Sequence, residues 1–85
     1  MNPERAHLVL LKPDGLLLVK RPDIGWQQLQ DEYVGYMTSL GPWTAKEIME
    51  YFILDYGEDD ARWPLTRRSI ADFMRATDVL VLKAD

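Results

Sequence analysis

The stretch AHLVLLKPDGLLLVK, residues 6–20, carries two apolar runs joined by Pro13-Asp14-Gly15. Proline presets its own φ angle and glycine accepts the positive φ of a tight turn, so this tripeptide favours a reversal of the chain. We therefore predict a β-hairpin with strands at 6–12 and 16–20. Both runs are continuously apolar, which is typical of strands covered on both faces, although leucine-rich segments also have helical tendency.

Downstream of the hairpin, the apolar residues change to a helical spacing. Gly41-Pro42 follows this segment and is a common helix terminator, because glycine adopts the left-handed conformation and proline cannot continue the helix. The pattern predicts a first helix over 24–40. Its large apolar side chains recur every three or four residues and are Trp26, Leu29, Tyr33, Tyr36, Met37 and Leu40.

Two further helices have capping signals. Thr44-Ala45-Lys46-Glu47 fits a capping box, in which the threonine hydroxyl caps the amide three residues on and the glutamate reaches back. The helix it begins is predicted over 44–56 and ends before Gly57. Thr66 is a suitable N-cap for a third helix over 66–76.

The last apolar run, 78–83, is predicted as a third strand that adds to the hairpin. The expected fold is a single α+β domain over 1–85 in the order ββαααβ. It has a β-hairpin at 6–20, three helices within 24–76 and a C-terminal strand, with a mainly antiparallel three-stranded sheet beside the helices. The predicted core consists of Leu8, Leu10, Leu29, Tyr33, Ile48, Phe52, Ile70, Phe73 and Val81.

The net charge of −4 is unevenly distributed along the 85 residues. Residues 1–22 and 62–85 each carry an excess of two positive charges, whereas residues 23–61 carry one base and nine acids. Local potential steers a charged partner more than total charge does, so an acidic protein can still present a basic face.

The chain contains no cysteine, and its apolar runs are far shorter than the roughly 20 residues that cross a bilayer. A cysteine-free small domain fits a reducing compartment. We therefore expect a cytoplasmic protein without a membrane partner.

The run LVLLKPDG, residues 8–15, is similar to the opening strand of nucleoside diphosphate kinases. That family also uses a downstream nucleophilic histidine in a His-Gly-Ser-Asp setting. The single histidine here is His7, which precedes the motif. We therefore reject kinase activity and keep the hairpin interpretation.

No other pattern indicates catalysis or metal binding. One histidine without cysteines is too few ligands for a transition-metal site, and the acidic residues Asp55 and 58–60 lack the alternating spacing of a calcium loop. We predict a non-enzymatic protein with no catalytic residue, metal or cofactor.

The segments TAKEIMEYFILDY (44–56) and WPLTRRSIADFM (63–74), followed by the strand to residue 83, resemble winged helix-turn-helix domains. Those domains often show a capped T-x-x-E-I helix, then L-T-x-x-x-I-A with a basic first turn, then a strand. In that family the later helix lies in the major groove of DNA. The resemblance implies a double-stranded-DNA-binding regulator of transcription.

The same resemblance assigns candidate contacts residue by residue. The groove-facing turn corresponds to Thr66, Arg67, Arg68 and Ser69, and Arg75 to a phosphate contact. Basic residues of the hairpin would act as the wing. These are Lys12, Lys20 and Arg21.

A protein-binding adaptor or inhibitor is the alternative. Three tryptophans and four tyrosines are a large aromatic load for one small core, and both residue types are enriched at interfaces. The acidic middle segment could dock on a basic partner, and a homodimer is also compatible, since Leu16, Leu17 and Leu18 cannot all face one core. A contiguous basic face would favour DNA, and a contiguous acidic face with exposed aromatic residues would favour a protein.

Overall fold

The computed structural model describes residues 4–21 and 23–84. Four antiparallel strands form one sheet in the spatial order β3-β1-β2-β4. The strands are β1 (Ala6–Leu11), β2 (Gly15–Val19), β3 (Tyr36–Trp43) and β4 (Val81–Lys83). The helices are α1 (Trp26–Glu32), α2 (Ala45–Tyr56) and α3 (Arg67–Arg75), with a short 3-10 turn at Asp60–Arg62 between the last two.

The predicted hairpin is confirmed, and both of its faces are covered. Leu16 and Leu18 pack with residues of α2 and α3 on one face of the sheet. Leu17 and Val19 pack on the other face with Leu29 of α1. The continuous apolar runs follow from this burial, because alternate residues of a strand point to opposite faces. All three leucines are thus buried within the chain, so they give no reason to expect a dimer.

The predicted helix over 24–40 is wrong in its second half. Helix α1 ends at Glu32, and residues from Tyr36 onward form β3, the strand that pairs with the outer side of β1. Gly35 breaks the helix with a φ of +84° and accepts a hydrogen bond from the backbone N–H of Lys12 at 2.8 Å. A helix through this segment would leave that side of β1 without backbone partners, which is costly. The sheet therefore has four strands instead of three.

The two capped helices are confirmed. At α2, the Thr44 hydroxyl accepts from the N–H of Glu47 at 3.3 Å, and the Glu47 carboxylate accepts from the N–H of Thr44 at 3.0 Å. At α3, the Thr66 hydroxyl accepts from the N–H of Ser69 at 3.2 Å. Within the described ranges, no helix is both long and apolar enough to cross a membrane.

The C-terminal strand pairs with β2 as predicted but is shorter than 78–83. The predicted core is mostly confirmed, with Leu10 and Tyr33 only partly buried. Val81 is not a core residue, because β4 is an edge strand and 38% of this residue is exposed. The confirmed core residues are Leu8, Leu29, Ile48, Phe52, Ile70 and Phe73.

Candidate functional site

The amino end of α3 is where the resemblance to winged helices puts the base contacts. Thr66 and Ser69 lie in this turn, and their side chains contact each other: the Thr66 hydroxyl is 3.2 Å from the Ser69 hydroxyl. The Ser69 hydroxyl also donates to the backbone carbonyl of Thr66 at 2.9 Å. Both side chains therefore contribute to capping the helix.

Arg67 is held against the preceding loop. Its backbone N–H donates to the Asp60 carboxylate at 2.9 Å, and its guanidinium donates to the carbonyl of Glu58 at 3.0 Å. The guanidinium carbon lies 4.5 Å from the centre of the Trp63 ring. The acidic loop thus lies directly at the amino end of α3, where it opposes the approach of a phosphate.

Arg68 and Arg75 share one carboxylate. The Arg75 guanidinium lies 2.6 Å from Asp72, and the Arg68 guanidinium lies 3.9 Å from the same residue. The Arg68 side chain is 92% exposed, so its ion pair is weak and screened by solvent.

The basic residues of the hairpin do not form one patch. Lys12 is exposed in the turn between β1 and β2, whereas Lys20 directly follows the far end of β2. The chain reverses between them, so Lys12 lies level with Asp14 and the distance to Lys20 is that of six residues along β2, roughly 20 Å at about 3.3 Å per residue. Lys20 is buried, and its ammonium group donates to the carbonyls of Phe73 and Ala76 at the carboxyl end of α3. It is therefore engaged inside the protein and is not presented on the hairpin surface.

Arg21 makes two hydrogen bonds to the Glu32 carboxylate, at 3.0 and 2.9 Å. All four arginines of the predicted interface therefore have a carboxylate within 4.0 Å. Their positive charge is offset locally, so the residues assigned by resemblance do not create a strongly basic face.

A different surface combines acidic and aromatic side chains. The outward stripe of α2 and the end of β3 line a groove of about 240 Å³, which we call the acidic-aromatic groove. Two of its rings, Trp43 and Tyr51, lie with their centres 5.6 Å apart at an angle of 46°. The groove is lined by Trp43, Glu47, Glu50, Tyr51 and Leu54.

Leu54 is unusually exposed for a large apolar residue of α2. It is 86% exposed, although the opposite face of α2 buries Ile48 and Phe52 completely. Glu47, Glu50, Tyr51 and Leu54 follow the i, i+3, i+4, i+7 spacing, so they form one continuous stripe on the helix. The aromatic load and the acidic segment were predicted from the sequence, but this stripe was not, although its helical spacing is visible there.

The electrostatics of the groove keep it negative. The backbone N–H and hydroxyl of Thr44 hydrogen-bond to the Glu47 carboxylate and lower its pKa, so this group stays ionised. Burial, followed by the nearby Asp55 carboxylate, raises the pKa of Tyr51, so its hydroxyl stays neutral. The groove therefore offers carboxylates, a hydroxyl and two ring faces together.

A larger concavity of about 490 Å³ lies at the tip of the hairpin. Its wall includes Trp63, whose ring N–H already donates to the carbonyl of Gly57 at 2.7 Å. Its lining charges are Asp14 and Arg62, which balance each other. This cavity offers an apolar wall but no charge preference. Among the residues that the structure describes, no cluster of three or more potential metal ligands occurs.

Comparison of the chain with models of known families, with curated proteins and with solved structures finds no match. The geometry of the chain itself is therefore what supports a function.

Proposed function

We propose that this protein is a small adaptor or inhibitor that binds a basic segment of a partner protein in the acidic-aromatic groove. The observation that carries the proposal is the convergence of two carboxylates, Glu47 and Glu50, with two rings in tilted contact and an exposed leucine around one groove. Charge and shape in this groove complement a cation with a flat, apolar face.

An arginine side chain has the required chemistry. Its guanidinium is planar, stacks on aromatic faces and makes paired hydrogen bonds to carboxylates. Trp43 and Tyr51 supply the rings, and Glu50 supplies a carboxylate beside them. A lysine ammonium carries the same charge but lacks the plane, so the groove favours arginine over lysine.

The size of the groove defines what it can hold. A volume of about 240 Å³ accommodates one long side chain of a partner. Leu54 at its border gives a neighbouring apolar residue of the partner a place to pack. We therefore infer an extended or helical segment with one anchoring arginine and an adjacent apolar residue.

A fluorescence-anisotropy titration with a labelled short oligoarginine tests the proposal, with oligolysine and oligoglutamate as comparison probes. We expect oligoarginine to bind more tightly than oligolysine, and oligoglutamate not to bind. The variant Glu47→Gln with Glu50→Gln should weaken oligoarginine binding roughly tenfold. Glutamine at position 47 preserves the capping box, so the helix is retained.

The matched control is Asp23→Asn with Asp31→Asn, which removes two exposed charges elsewhere. This control should bind oligoarginine almost as the parent protein does. Equal weakening by both pairs would show that overall acidity, and not the groove, attracts the probe. No binding at about 1 mM protein, where even weak complexes register, would also refute the proposal.

Binding of double-stranded DNA by α3 is the second candidate, and the exposure of Arg68 in its first turn favours it. A polarisation titration against random duplex at low salt tests this function. Non-specific DNA binders have dissociation constants of about 10⁻⁴–10⁻⁶ M. The absence of a polarisation change at tens of micromolar protein would therefore exclude DNA binding. Binding that weakens in Arg68→Ala and becomes less salt-dependent would support it.

A further inference from the structure

Residues of β4 alternate between two backbone orientations: in one the N–H and carbonyl point toward β2, and in the other they point away from the sheet. The Lys20 N–H donates to the Leu80 carbonyl at 2.8 Å, and the Ala84 N–H donates to the Leu16 carbonyl at 2.9 Å. In an antiparallel pair, hydrogen-bonded positions alternate along the strand. The register with β2 therefore directs the N–H and carbonyl of Leu82 inward and those of Val81 and Lys83 away from the sheet.

The outward edge of β4 and the two residues that precede the strand are apolar and exposed. Val79, Leu80 and Val81 are 44%, 50% and 38% exposed. From position 79 to 84 the chain has no proline or acidic residue, and Lys83 is its one charge. Unpaired strand edges of this kind are templates for another strand.

The other edge of the sheet is protected. Strand β3 pairs with β1 through two register irregularities, and Gly41-Pro42 lies within it. Bulges and prolines are the usual means by which an edge strand avoids pairing with another chain. One edge of this sheet is therefore blunted, and the other is regular.

We propose that β4 pairs antiparallel with β4 of a second copy of this chain, so that two sheets join into one of eight strands. A closed two-fold dimer requires one residue to face itself across the axis. Val81 is the position that allows this with mutual hydrogen bonds, because its N–H and carbonyl point outward and it lies centrally between positions 79 and 83.

The side chains are compatible with this register. Leu80 faces Leu82 of the second copy, and Val81 faces its own equivalent, so exposed apolar groups become buried on both faces. Lys83 faces Val79 of the second copy, which keeps the two lysines apart. No pair of like charges is directly opposed within positions 79–83.

The dimer and the groove are independent. Trp43 of the groove lies in β3, and β4 forms the opposite edge of the same sheet. A dimer would therefore present two grooves. The test of groove binding and the test of dimerisation can each give a negative result without affecting the other.

Sedimentation equilibrium of the full chain from about 1 μM to about 1 mM tests the proposal. We expect a reversible monomer–dimer equilibrium in this range. Val81→Pro removes the outward N–H but no bond to β2, and it should weaken the dimer roughly tenfold or more. Val81→Thr keeps the shape and the N–H, and it should still dimerise. A monomer throughout the range refutes the proposal, as does a dimer that Val81→Pro does not weaken while remaining folded.

Two further measurements identify the edge even if Val81→Pro fails to fold. Amide exchange of Val81 and Lys83 should slow at dimer-forming concentrations, whereas that of Leu82 should be slow in monomer and dimer alike. The chain has no cysteine. Val81→Cys should therefore form an intermolecular disulfide on mild oxidation far more readily than Leu54→Cys. Concentration-independent exchange at Val81, or equal cross-linking of the two variants, would overturn the assignment.

Discussion

The ammonium group of Lys20 donates a hydrogen bond to the backbone carbonyl of Phe73 at 2.6 Å and lies 4.5 Å from the centre of the Phe73 ring. It also donates to the carbonyl of Ala76. One buried cation thus connects the end of β2 to the carboxyl end of α3 through hydrogen bonds. Helix carboxyl ends carry unsatisfied carbonyls and a partial negative charge, so a lysine is well suited to this position.

We predict that Lys20→Met destabilises the protein by about 2–4 kcal/mol, because methionine fills similar space but leaves buried carbonyls without a charged donor. Urea denaturation measures the change. Lys12→Met, in the exposed turn, is the control and should shift stability by less than about 0.5 kcal/mol. Similar effects of the two variants would show that Lys20 does not cap α3.

The capping box of α2 should make stability depend on pH. Hydrogen bonds from Thr44 lower the pKa of Glu47 from its ordinary 4.5. Their stabilisation is therefore complete above that value and is lost as pH falls through the lowered pKa. Thr44→Ala should cost about 1 kcal/mol at neutral pH.

Urea denaturation at neutral and acidic pH tests this dependence. Glu47→Gln keeps a capping-box residue but has no titrating carboxyl, so its stability should fall less in acid than that of the parent protein. Equal acid sensitivity of the two proteins would contradict the role of Glu47.

Arg67 and Arg68 should differ in their effect on folding. Both were assigned to the groove-facing turn, but Arg67 stacks on Trp63 and donates to the carbonyl of Glu58. Arg67→Ala should therefore destabilise the protein by about 1–2 kcal/mol. Arg68→Ala, whose ion pair is exposed, should stay within about 0.5 kcal/mol. Thermal unfolding of both variants measures the two changes in stability. An Arg67→Ala variant as stable as the parent protein would argue against the stacked contact.

Gly41 should tolerate a side chain much less than Gly57. Both have positive φ, +99° and +88°. A Cβ at Gly41 would lie 2.7 Å from the backbone nitrogen of Trp43, whereas one at Gly57 would meet nothing within 4 Å. We expect Gly57→Ala to cost about 1 kcal/mol, from backbone strain alone, and Gly41→Ala about 2–4 kcal/mol. The denaturant concentrations at the unfolding midpoints of the two variants give the two losses of stability. Equal losses would exclude a close approach at Gly41.

The hairpin and the caps could be predicted because their causes are local. Pro13-Asp14-Gly15 favours a turn whatever surrounds it, and Thr44 and Thr66 bond to amides only three residues away. The candidate site was less predictable. Arg67, Arg68 and Arg75 lie on α3 as predicted, whereas Lys12 and Lys20 lie just outside the strands that were predicted to contain them. Some carboxylate partners of the arginines come from other segments, such as Glu32 for Arg21 and Asp60 for Arg67.

The sequence by itself determined the hairpin, the two capped helices, the apolar positions of the centre and the acidic charge of α2, since each depends on neighbours within a few residues. Only the tertiary structure decided that residues 36–43 form a strand, because the helical spacing there was outweighed by the need of β1 for backbone partners on its second side. It also decided that Lys20 is buried, because the ends of β2 and α3 meet only when the sheet and helices pack together.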